Sequence, residues 1–157
     1  MSTEFIATSM LAQSSTISET EIQDLVRTWY HQLDIHAPLS DLTALLIEDG
    51  LRMVFPEMIA EGLSGFQQWY ERVTHLFFDE VHTVKDIQCT SQPDRTFVKV
   101  VVKWEASRWI PPAPCSDRLV IDAFQTWEVV RSPIHHRPVV ATYTVDALEY
   151  YDGSAEL

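Results

Sequence analysis

Basic residues are scarce in this chain. It carries 11 Lys and Arg against 23 Asp and Glu, a formal net charge of −12. A surface of that sign repels phosphate backbones and anionic lipid, which argues against nucleic acid and membrane surfaces as partners. Its simplest use is solubility. Cysteine is nearly absent: Cys89 and Cys115 stand alone, outside any CxxC spacing. That excludes a disulfide framework and points to a reducing cytoplasm. No stretch approaches the ~20 apolar residues of a membrane span. Met1 to Ile17 contains neither Lys nor Arg and no long apolar run, so it lacks the parts of a secretory signal. Residues 1–17, rich in Ser and Thr, read as a flexible lead-in. Metal-ligand spacing is missing too. His31 and His36 are too far apart in sequence for one helix face, HExxH does not occur, and no metal or cofactor is expected.

What is present is the composition of a folded domain. Apolar residues make up 46% of 157 residues and charged ones 22%, enough for one sizeable core. The 5 Trp, 5 Tyr and 7 Phe give that core, or a pocket within it, unusually large flat surfaces.

Periodicity then places the elements. Ser18 and Glu21 form a capping box, with Ile17 positioned to staple onto Ile22. Ile22, Leu25, Val26, Trp29, Tyr30 and Leu33 follow at helical spacing up to Pro38. A second helix is expected from Ser40 to Asp49-Gly50, with Leu42, Leu45 and Leu46 inward. Leu51 to Phe55 and Met58 to Ala60 read as a short strand pair. A third helix follows Gly62, capped by Ser64, with Phe66, Trp69, Tyr70, Val73, Leu76 and Phe77 as its stripe. From Val81 the period becomes two. Strands are expected over Val81–Cys89, Thr96–Trp109, Arg118–Val130 and Val139–Leu148. Val98, Val100, Val102, Trp104 and Ala106 share one face of the second, and Leu119, Ile121, Ala123, Gln125, Trp127 and Val129 one face of the third. Residues 152–157 read as a loose tail. Helices first and long antiparallel strands afterwards give a single α+β domain over residues 18–151. Three helices cover a strongly curved antiparallel sheet of about four long strands plus a short pair, around an internal pocket.

The run Phe78-Asp79-Glu80-Val81-His82-Thr83-Val84-Lys85-Asp86-Ile87 resembles a motif of SnoaL-like, polyketide-cyclase-type proteins of the nuclear transport factor 2-like superfamily. Gly62 to Trp69, Val102-Lys103-Trp104 and Phe124 to Val129 resemble further parts of the same family in the same order, so the likeness runs from about Glu21 to Glu149. It implies a cone-shaped barrel, an internal pocket and a homodimer. It implies no single function, since members include isomerases, dehydratases, cyclases, epoxide hydrolases and non-catalytic binders.

The family's acid and base positions are altered here. Where its ketosteroid isomerases carry a tyrosine and two aspartates, the resemblance puts Trp29, Phe55 and Gln125, none of which can ionise to do that work. The cyclases' aspartate also falls at Gln125. Asp122 is out of phase with it and, without a bulge, is a solvated carboxylate. Lys103 and Glu105 echo the epoxide hydrolases' charged pair but alternate with Trp104, which puts them outside; their last aspartate falls near Tyr143. His135 and His136 lie in a polar loop. His82 starts a strand at the mouth side and is the candidate base, weighed against a partly buried structural histidine because it has no obvious carboxylate partner. Arg108, in phase with Trp104, reaches the rim as an anion holder or as half of a salt bridge. The leading expectation is a pocket for a small, largely apolar or aromatic molecule, contacted by Trp29, Phe55, Trp69, Trp104, Arg108, Gln125 and Tyr143. An isomerase, dehydratase or cyclase using His82 is the second reading, and a dimerisation or partner-binding module the third.

Overall fold

The computed structural model describes residues 16–157, so residues 1–15 of the expected lead-in lie outside the described residues. Helix α1 spans Glu19–Asp34 and begins as the capping box requires. The Ser18 hydroxyl accepts the Glu21 N–H and the Glu21 carboxylate accepts the Ser18 N–H, both at 3.1 Å. Arg131 grips that carboxylate from the sheet at 2.9 and 3.0 Å and holds it below the ordinary range for a glutamate. The apolar stripe of α1 is buried from Ile22 to Leu33.

Helix α2 is only Leu39–Thr43, much shorter than the expected run to Asp49-Gly50. The backbone beyond it is claimed by the sheet: Val140 N–H donates to the Leu45 carbonyl and Ile47 N–H to the Val140 carbonyl, at 2.9 and 2.8 Å. Those bonds are incompatible with a continuing helical ladder. Strands β1 (Arg52–Val54) and β2 (Ile59–Glu61) form the short pair. Helix α3, Gly62–Leu76, starts at a glycine with φ +70°, a backbone region that side chains disfavour. Ser64, expected as its cap, lies inside the first turn; the cap position is Glu61, which makes no side-chain capping bond.

Four long strands complete the chain: β3 (Phe77–Ser91), β4 (Thr96–Arg108), β5 (Asp117–Arg131) and β6 (Pro138–Tyr150). Phe77 therefore opens β3 and does not close the third helix. The strand order is β2-β1-β6-β5-β4-β3, an open six-stranded sheet. It is mixed and not wholly antiparallel, because β1 runs parallel to β6, with Met53 beside Tyr143. Bulges in β3 and in the β5–β6 ladder bend the long strands. The expected alternation holds on the inner face: Val98, Val100, Val102 and Ala106 of β4 and all six apolar-phase residues of β5 are buried. The tail after Tyr151 is tied to the sheet. Val120 N–H donates to Ser154 Oγ at 2.8 Å and Ala155 N–H to the Arg118 carbonyl at 2.9 Å. No helix among the described residues is long and apolar enough to cross a membrane.

Candidate active site

Between α3 and the concave face of the sheet lies a cavity of about 380 Å³, walled mostly by apolar side chains. Val102, Trp104, Ala123, Val145 and Leu148 line it from the sheet and Trp69, Tyr70 and Val73 from α3, while Leu157 of the tail reaches its edge. The polar atoms that face it come from few residues, which is the usual make-up of a small-molecule site.

His82 lies in this wall, with its side chain 9% exposed. It is held by Asp34 at the end of α1, which accepts Nδ1 at 2.5 Å through one oxygen and the His82 backbone N–H at 2.9 Å through the other. Tyr30 stacks near the imidazole at 4.9 Å and Trp104 lies nearly parallel to it at 6.2 Å. A carboxylate on Nδ1 fixes the tautomer that leaves Nε2 as the basic atom. Nε2 has no partner among the described residues. Sequence separation hides Asp34, 48 residues away. One signal was there: a carboxylate in the last turn of a helix opposes the helix dipole, so Asp34 needs a reason to be where it is.

The floor of the cavity is a polar knot around Gln125, which is 5% exposed. Its carbonyl oxygen accepts the Tyr30 hydroxyl at 2.6 Å and the Trp127 indole N–H at 3.0 Å. The Tyr143 hydroxyl sits against Gln125, Tyr30 and Trp29. Burial pushes Tyr143 up to about 12 and Tyr30 well above its ordinary value, while burial with the nearby charge of Glu80 takes Tyr70 to about 12. These phenols stay neutral donors throughout the physiological range. An expected result follows for alkaline pH. The unfolded chain releases these protons near pH 10 and the folded one later, Tyr70 and Tyr143 at about 12, so the stability these groups contribute is fully present below about pH 10 and is lost as pH rises from about 10 through 12. Urea unfolding across that interval, with tyrosinate absorbance as a second readout, checks it; stability level up to pH 12 would contradict it.

Of the residues singled out in the sequence, Phe55, Trp69, His82, Trp104, Arg108, Gln125 and Tyr143 border the cavity. Trp29 does not. It is fully buried behind Tyr143 and packs on Phe66, Trp127 and Tyr143. Its N–H lacks a well-aligned partner yet lies close enough to the Tyr143 hydroxyl to act on it. Arg108 reaches the cavity and also makes the polar contacts of a salt-bridge partner. It lines the cavity while Nη2 donates to the Glu156 carbonyl at 2.9 Å and lies 3.5 Å from Asp117. Asp122 faces outward to Lys85 and Tyr151, and Lys103 lies 3.8 Å from Glu105 in a partly exposed pair. No cluster among the described residues has the ligands for a metal ion.

No family model matches the chain, and no curated protein matches it in sequence. Solved structures do match. A nuclear transport factor 2-like superfamily protein from Salmonella enterica aligns with TM-score 0.68 at 11% identity, over 87% of this chain and 91% of that one. A hexachlorocyclohexane dehydrochlorinase from Novosphingobium barchaimii aligns with TM-score 0.68 at 15% identity, over 88% and 92%. A protein assigned as a scytalone dehydratase, from Novosphingobium aromaticivorans, aligns with TM-score 0.63 at 19% identity, over 98% and 99%. These alignments place the chain in the nuclear transport factor 2-like fold.

Proposed function

We propose that the cavity binds a small, largely apolar cyclic or aromatic molecule and that His82, oriented by Asp34, removes a proton from it in an elimination or isomerisation. The observation that carries this reading is the Asp34–His82 pair set in an apolar wall, with Nε2 left for a guest. The His82 side chain is largely buried there, and an imidazole held in one tautomer by a carboxylate presents its other nitrogen as a proton acceptor. Trp104 and Tyr30 pack on the ring, and Gln125 and Tyr143 offer polar groups in otherwise largely apolar walls. Arg108 adds a positive charge at one edge, suited to a developing oxyanion. Two structurally similar proteins bear the names of a dehydrochlorinase and a dehydratase, both elimination chemistries, which supports the class of reaction without naming a substrate.

The reading is tested with nitrobenzisoxazole, a flat apolar ring system whose C–H bond is broken by a base as its N–O bond opens. The wild-type protein is expected to catalyse this opening with saturation, and naphthalene is expected to compete. A rate that grows linearly with probe concentration and ignores naphthalene would remove the pocket from the explanation.

A further inference from the structure

The register of β3 against β4 slips once at its start. Phe78 pairs with Ser107 and Val81 with Glu105, so Asp79 and Glu80 together oppose Ala106. Such a bulge re-aims side chains. Here it adds Glu80 to the cavity wall beside Phe77 and His82. The local backbone is unusual on both sides of the wall, since Asp79 has φ +50° and His36 φ +49°. Non-glycine residues hold that conformation only where their surroundings impose it.

The Glu80 side chain is 9% exposed and both its oxygens are engaged. Oε1 accepts the Trp104 indole N–H at 3.0 Å, and Oε2 is hydrogen-bonded to His36 Nε2. His36 is 28% exposed and borders an outer cleft shared with Asp34, Phe78, Asp79, Val81 and Arg118. Glu80 lines both that cleft and the inner cavity. A histidine–carboxylate pair thus spans the wall, next to the Asp34–His82 pair and separate from it.

Building on the base role of His82, we propose that His36–Glu80 is the acid partner: it carries one exchangeable proton, delivers it through Glu80 to the group that leaves the substrate, and regains it from solvent through His36. The step balances. The C–H electron pair becomes the new π bond, the proton goes to His82 Nε2, and the bond to the leaving group breaks with its pair on that group. Glu80 supplies the proton that neutralises it. His82 then releases its proton to solvent and His36 takes one up. The charged and titratable groups around the pair are Asp34 on α1, Asp41 on α2, Tyr70 on α3, Asp79 and His82 on β3, and Arg118 on β5.

The test compares two probes in the intact chain. Nitrobenzisoxazole expels a phenolate stable enough to leave unprotonated, whereas unsubstituted benzisoxazole expels a more basic one that gains from an acid. Glu80→Gln and His36→Gln are each expected to lose at least about tenfold more rate on the unsubstituted probe than on the nitro probe, as removal of a general acid requires. His36→Gln preserves a donor for Glu80, so it separates proton supply from positioning. Equal losses on the two probes, or no loss on either, would overturn the acid role while leaving His82 as base. Failure of the wild type to open either probe would overturn both.

Discussion

Replacing His82 with glutamine is expected to slow the opening of nitrobenzisoxazole by about 10²–10⁴-fold, the range associated with a positioned general base. Glutamine can occupy much of the space of the imidazole and still donate to Asp34, but it cannot take a proton. The loss should therefore appear in kcat more than in KM, since the ring's apolar neighbours still hold the probe. Asp34→Asn should cost less, roughly 10–100-fold, in line with an orienting partner at one remove. Asparagine presents one acceptor where Asp34 presents two, and Asp34 uses both on His82. Stopped-flow or steady-state absorbance of the released phenolate measures both variants. If His82→Gln retains the wild-type kcat, the histidine is a wall residue and the base lies elsewhere.

Truncating Trp127 to alanine is expected to be the most damaging change to the fold. This side chain is fully buried on β5, with Tyr143 at 5.3 Å, Tyr30 at 5.9 Å and Trp29 edge-on at 6.3 Å between ring centroids. Large-to-small replacement of a buried aromatic costs about 3–5 kcal/mol, from lost transfer energy and the void left behind. For a domain of this size that corresponds to a fall in Tm of roughly 10 °C. The indole N–H also bonds to Gln125, so Trp127→Phe should separate the two contributions: most of the packing stays, and about 1 kcal/mol goes with the hydrogen bond. Calorimetry of the two variants gives the comparison. A Trp127→Ala protein as stable as the wild type would mean that the aromatic cluster repacks freely.

The parts of this molecule that follow from periodicity were legible in its residues. Leu119 through Val129 alternate without interruption, and β5 buries every one of the expected positions. Ser18 and Glu21 announce the start of α1 because a cap is made by neighbours in sequence. The second helix ends earlier than its pattern implies because Leu42, Leu45 and Leu46 suit a helix face equally well, and only the pairing of residues 45–47 with Val140 decides against it. The parallel junction of β1 with β6 is likewise invisible until the chain closes. At the site, most of the aromatic residues picked out by phase border the cavity, but Asp34 and His36, which bond to His82 and Glu80, lie at and just beyond the end of α1, far away in sequence. Glu80 is further concealed by the bulge: Asp79 and Glu80 together oppose Ala106, so strict alternation does not say that Glu80 borders the cavity.

At one rim of the cavity Phe55 and Trp69 lie face to face, 3.9 Å apart and within 5° of parallel. Glu57 fastens the arrangement by accepting from Trp69 Nε1 at 2.9 Å and from Arg72 at 3.0 Å. Two rings already in contact leave no room for a third between them. Parting them costs only about 0.5–1.5 kcal/mol, the ordinary worth of an aromatic pair. The ion pair beside them is exposed and weak. The stack is therefore held by contacts weak enough for thermal motion to break, and it is the most closely parallel ring pair bordering the cavity.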